Sequence, residues 1–116
     1  MVPAPCLVGS MYARVWEYEV QAGEVDAFVS AYRAKGAWAQ LFARAEGYAG
    51  TQLFRHVDRP SHLLTVDLWA DVACWQGFLN RWGNDYGELD HRLHGVAAGG
   101  EAVIEGTTQR ADAPAD

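Results

Sequence analysis

The stretch that most constrains the fold runs from Leu63 to Leu93, LLTVDLWADVACWQGFLNRWGNDYGELDHRL, because its apolar residues change period midway. Over Leu63–Trp69 the residues alternate. Leu64, Val66 and Leu68 share one face, and Thr65, Asp67 and Trp69 share the other, as in a strand. Ala70-Asp71 breaks the alternation, and Asp71 suits a helix N-cap. From Trp75 the apolar positions step by three or four through Phe78, Leu79, Trp82, Tyr86, Leu89 and Leu93, the spacing of one helix face. A buried strand running straight into a helix from about Val72 to His94 is therefore predicted. Gly77, Gly83 and Gly87 each weaken that helix by about 1 kcal/mol relative to alanine, so a break is expected near Gly83-Asn84. A strand face carrying Thr65, Asp67 and Trp69 is too polar for plain core and points to a pocket.

The other elements follow from the same periods. Residues 1–10 contain Pro3, Pro5 and Gly9 and read as a tail. Met11–Val20 reads as a strand with Tyr12, Arg14, Trp16, Tyr18 and Val20 on one face; neither face is cleanly polar, so both are expected to be covered in part. Val25, Phe28, Val29 and Tyr32 mark a first helix, which Gly36 interrupts. A second helical piece carries Trp38, Leu41, Phe42 and Ala45 and closes at Gly47. Tyr48–His56 returns as a strand, with Gly50 suggesting a bulge, and pairs with Leu63–Trp69 as a hairpin. Glu101–Thr107 is the last strand, and residues 109–116 read as a second tail. The order strand, helix, strand, strand, helix, strand implies one α+β domain over residues 11–108. This is a ferredoxin-like βαββαβ antiparallel sheet with its helices on one face. The open face then needs a cover, which a second copy related by a two-fold axis would supply.

Composition narrows the function classes. A net charge of −6 offers no basic stripe for a phosphate backbone, so nucleic acid is not an expected partner. No run approaches the roughly 18 apolar residues of a membrane span, and the N-terminus has no basic region ahead of a long apolar one, so a cytoplasmic protein is expected. Cys6 and Cys74 form no motif and read as reduced thiols. Five tryptophans in 116 residues are a heavy aromatic load, which must fill a dense core or line a cavity or interface.

The segments VWEYEV (Val15–Val20), Phe28–Tyr32, GAWAQLF (Gly36–Phe42), EGYAGTQL (Glu46–Leu53) and VDLW (Val66–Trp69), followed by an aromatic helix with Phe78 and Tyr86, carry a resemblance. Together they are similar to the antibiotic biosynthesis monooxygenase family of dimeric α/β-barrel proteins. The resemblance implies a homodimer whose two sheets close into a barrel, with a pocket in each protomer between sheet and helices. Members of that family include cofactor-independent oxygenases of polycyclic phenols, quinone-forming enzymes and haem-degrading enzymes. The haem-degrading branch carries an Asn on the first strand, a Trp after the third and a His on the second helix. Here Trp16 stands in the place of that Asn, and Trp75–Tyr86 holds no His, so haem is not expected.

The implied chemistry needs an apolar site that stacks a planar molecule and one group that takes a proton. Asp67 and Trp69 are the catalytic candidates, with Trp16 as a wall. Tyr18, Tyr32, Asn80 and Tyr86 are candidates for holding the ligand's polar end. The competing reading makes the tryptophans core and pairs Asp67 with Arg14 on the neighbouring strand. His91 and His94 lie three apart, but helix-end dipole pairing accounts for them without a metal. No cofactor is expected. The leading function is a cofactor-independent monooxygenase acting on a planar aromatic or quinol-like molecule. The alternatives are a non-catalytic or stress-associated binding dimer and a cofactor-free isomerase or decarboxylase.

Overall fold

The computed structural model describes residues 10–96 and 100–108; apart from Ser10, the two expected tails and Cys6 lie outside those residues. The elements are β1 (Tyr12–Glu19), a 3-10 turn (Ala22–Glu24), α1 (Val25–Tyr32), α2 (Ala37–Phe42), β2 (Tyr48–Arg55), β3 (His62–Trp69), α3 (Val72–Arg92) and β4 (Gly100–Thr107). The four strands form one open antiparallel sheet in the order β2-β3-β1-β4. This is the ferredoxin-like α+β arrangement that the order of periods implied.

Cross-strand register fixes what shares a face. Tyr12, Arg14, Trp16 and Tyr18 of β1 stand opposite Trp69, Asp67, Thr65 and Leu63 of β3. The helices cover this face, where Leu63, Thr65 and Trp69 are all buried. Leu64, Val66 and Leu68 therefore lie on the other, uncovered face and are only half-buried. The core between sheet and helices is aromatic. Phe42 of α2 touches Trp69 at 5.5 Å and Phe78 at 5.2 Å, both edge to face, the arrangement that ring quadrupoles favour.

Two local devices set the helices over the sheet. Gly36 separates α1 from α2 at a point where a Cβ would sit 2.5 Å from the Ser30 carbonyl oxygen, so only glycine lets the chain turn that closely. Asp71 caps α3, its Oδ1 accepting the Cys74 N–H at 2.8 Å. Inside α3 the backbone leaves helical geometry at Trp82 (φ −121°, ψ 23°), one residue before the expected Gly83-Asn84 break. Among the described residues no helix is long and apolar enough to cross a membrane.

Candidate active site

A cavity of about 290 Å³ opens between the helix-covered face of the sheet and the helices. Alternate residues of β1, namely Arg14, Trp16 and Tyr18, supply its floor together with Thr65 and Asp67 of β3 and Thr51 of β2. Tyr32, Trp38 and Phe42 wall it from α1 and α2, and Trp75 and Tyr86 from α3. Beyond the kink at Trp82, Tyr86, Asp90 and His94 recur every four residues, about one helical turn, and all three reach the cavity.

Asp67 is the buried acid of this site. Its Oδ1 accepts a hydrogen bond from the Thr51 hydroxyl at 2.6 Å, and Tyr48 bonds in turn to that same hydroxyl. Thr51 has one proton and gives it to the carboxylate, so Tyr48 must be the donor in that short contact. A bulge in β2 makes this chain possible. Tyr48 and Thr51 are three apart and would face opposite ways in a regular strand. The register shift between Tyr48 and Gly50, with Gly50 at φ +127°, turns both toward Trp69 and Asp67. Burial pushes the Asp67 carboxyl from its ordinary 3.8 up to about 6, against the smaller opposing pulls of the Thr51 bond and the Arg14 charge.

Arg14 stands opposite Asp67 in the register but turns away from it. Its Nη1 donates to Glu105 Oε2 at 2.7 Å and to the Tyr12 hydroxyl at 3.2 Å, and its guanidinium lies 4.0 Å over the Trp75 ring. Burial works against that charge, but the Tyr12 bond and the Glu105 carboxylate outweigh it and raise the Arg14 pKa. The Asp67–Arg14 pair of the competing reading is thus not the one formed, and Asp67 is left facing the cavity with Thr51 alone as its donor. Burial also raises the tyrosines: Tyr32 to about 12, Tyr18 well above its ordinary range and Tyr86 upward. All three remain neutral hydrogen-bond donors.

The structure brings Asp67, Trp16, Tyr18, Tyr32 and Tyr86 together around the cavity. It does not bring Trp69 or Asn80 there. Trp69 is fully buried between Phe42, Tyr48 and Trp75, and neither its ring nor its N–H lines the cavity. Asn80 points to solvent from the outer side of α3. Trp38, Trp75, Thr51 and Arg14 were missing from the predicted site. A lone arginine among apolar residues on the Trp16 face of β1 was a readable signal for Arg14, and the glycine beside Thr51 was a weaker one. Trp38 and Trp75 had none beyond aromatic content. His62, which flanks the hairpin loop, sits between Glu17 and Glu19 of β1, bonding Glu19 at 2.8 Å. Those bonds raise its pKa. Of the His91/His94 pair only His94 lines the cavity, and among the described residues no cluster of three or more His, Cys, Asp or Glu could hold a metal ion.

Comparison with known proteins agrees with this architecture. No curated protein sequence matches the chain. Among solved structures, a variant of SnoaB, a cofactor-independent oxygenase from Streptomyces nogalater, superposes with a TM-score of 0.63 at 17% identity, covering 91% of this chain and 98% of that one. A putative antibiotic biosynthesis monooxygenase from Bordetella bronchiseptica gives 0.62 at 23% identity, covering 87% and 97%. A protein of unknown function from Nitrosomonas europaea gives 0.64 at 18% identity, covering 92% and 97%. At these identities the likeness is one of fold. The family model described as antibiotic biosynthesis monooxygenase matches residues 11–83, more than half of the sequence. Sheet order and sequence thus lead to one assignment: the chain belongs to the antibiotic biosynthesis monooxygenase family.

Proposed function

We propose that this protein is a cofactor-independent monooxygenase that oxidises a planar aromatic molecule of the phenol, quinol or anthrone type. The observation that carries the reading is Asp67: a carboxylate poised near pKa 6 in a cavity walled by aromatic rings. At neutral pH it is ionised yet more basic than a solvated carboxylate, as a general base requires. In this mechanism Asp67 takes a proton from a ring C–H made acidic by a conjugated carbonyl. The resulting enolate gives one electron to dioxygen, and the radical pair closes a C–O bond. The peroxide takes the proton back from Asp67 and loses water. One oxygen atom ends as a new ring carbonyl and the other as water, so the substrate's CH2 carbon supplies all four electrons that dioxygen takes up. Trp16 supports the ring by stacking, and the aromatic walls, Trp75 among them, keep water from the enolate.

The uncovered sheet face supports a second element of the reading, a homodimer. Phe54 and Ile104 are half-exposed there beside Leu64 and Val66, an apolar surface that a second copy would bury in a face-to-face barrel.

Oxygen uptake by chelator-treated protein against anthrones, naphthols and quinols tests the activity. Uptake in step with product, with kcat/KM rising through about pH 6 and falling at least about 100-fold in Asp67→Asn, is the expected result. No uptake across the panel would remove the oxygenase reading. Turnover without oxygen would replace it with an isomerase or decarboxylase.

A further inference from the structure

Trp38 is 7% exposed and lines the cavity, yet its indole N–H makes no hydrogen bond. The N–H lies close enough to the Tyr32 hydroxyl to favour that group's ionised form, but the two do not reach bonding geometry. Trp69 has a similarly unpartnered N–H, but it is packed in the core away from the cavity. A buried donor without an acceptor is costly, so an orphan on a cavity wall asks for an acceptor from the cavity's occupant.

The neighbouring groups are donors too. The Tyr32 ring is 6.0 Å from that of Trp38 and 5.3 Å from that of Tyr18, and both hydroxyls stay protonated because burial opposes their ionisation. On the sheet this cluster begins two rungs from Asp67; the Tyr18 hydroxyl reaches back to Thr65 and feels the Asp67 charge, whereas Tyr32 does not. Tyr18 is four residues along β1 from Arg14, the cross-strand partner of Asp67, which is roughly 13 Å of strand. Trp16 and Thr65 lie on the rung between them, giving a flat aromatic floor with a proton acceptor at one end and donors at the other.

We infer that Trp38 and Tyr32 form a second polar pole, which receives an oxygen lying across the ligand's ring system from the group that meets Asp67. This inference rests on the aromatic-ligand reading above and narrows it to fused-ring substrates that carry an oxygen across the ring system from the C–H or hydroxyl that meets Asp67. Asp90 borders the same end of the cavity and opposes negative charge at Tyr32. The oxygen received there is therefore a neutral carbonyl or hydroxyl and not a carboxylate. While Asp67 draws a proton at one end, these donors hold the far oxygen in place and so fix which carbon faces the carboxylate.

Anaerobic calorimetry with 1-naphthol and 1,4-dihydroxynaphthalene, which differ by one oxygen across the ring, tests the pole. The diol is expected to bind at least about tenfold more tightly. Trp38→Phe and Tyr32→Phe, which keep an aromatic ring in the wall, are each expected to bring the diol down to the affinity of 1-naphthol. Binding of 1-naphthol should fall by much less than that of the diol, and a circular-dichroism spectrum like the parent's shows that the variants are folded. Equal binding of the two ligands by the unsubstituted protein, or variants that weaken both alike, would overturn the pole and leave the oxygen-uptake reading standing. Binding of neither ligand would overturn the aromatic-ligand reading and the pole together.

Discussion

Asp67 shows how the site is traded against stability. In the unfolded chain its carboxyl titrates near 3.8, and in the fold near 6, because burial penalises the charged form. Between those values the native state holds a proton that the unfolded chain has lost, so stability falls as pH rises. The contribution is full below about 3.8 and is gone once the pH has passed about 6. A shift of this size corresponds to about 3 kcal/mol, trimmed by the partial exposure of the carboxylate. Asp67→Asn keeps an oxygen for the Thr51 hydroxyl but carries no charge. Urea denaturation at pH 4.5 and pH 7.5 should show the variant gaining about 2 kcal/mol on the parent between the two. An unchanged difference would mean that the carboxyl is not desolvated. The same residue shows what the sequence could carry. That Asp67 shared a face with Trp69 was legible, because strand side chains alternate. That Trp69 would be sealed beneath Phe42 and Trp75 while Asp67 opened on a cavity was not, because each rung's cover comes from helices distant in sequence.

At the scale of elements, β2 and α3 decide which side chains meet. The β2 bulge puts Tyr48 and Thr51 on one face, and a glycine within a strand was a fair sign of it. Gly50 sits at φ +127° with open space where a Cβ would stand, so Gly50→Ala costs backbone strain alone. A loss of about 1–3 kcal/mol is expected in urea melts. If the strand relaxes by smoothing the bulge, Thr51 leaves Asp67, and the acid limb of the oxygen-uptake profile moves to higher pH. A variant as stable as the parent would show that the bulge is not strained. In α3 the strongly periodic stripe of Trp75, Phe78 and Leu89 was readable and is buried. Asn80 failed as a candidate because it sits on the outer side of that stripe. The kink at Trp82 then re-aims the second half, so Tyr86, Asp90 and His94 reach a cavity that a straight helix would not have offered them in the same way.

For the whole molecule, the uncovered sheet face sets the expected assembly. Helices cover one side of the sheet, while Phe54 (50% exposed) and Ile104 (56% exposed) lie on the other. Sedimentation equilibrium should give twice the chain mass, and Phe54→Glu with Ile104→Glu should return a folded single chain, since two buried like charges facing each other would not be tolerated. A parent that sediments as one chain would overturn the dimer. Sequence alone determined the order of elements, the Asp71 cap, the broken helix and the aromatic character of the interior. Each of these is written in local spacing, in residues that turn or cap the backbone, and in the hydrophobic count. Tertiary structure alone decided that Arg14 pairs with Glu105 and not Asp67, that Trp69 is core and that Trp38 presents an unpaired donor to a cavity. These depend on strand register and on which helix lies over which rung, and contacts between segments far apart in sequence leave no periodic trace within either one.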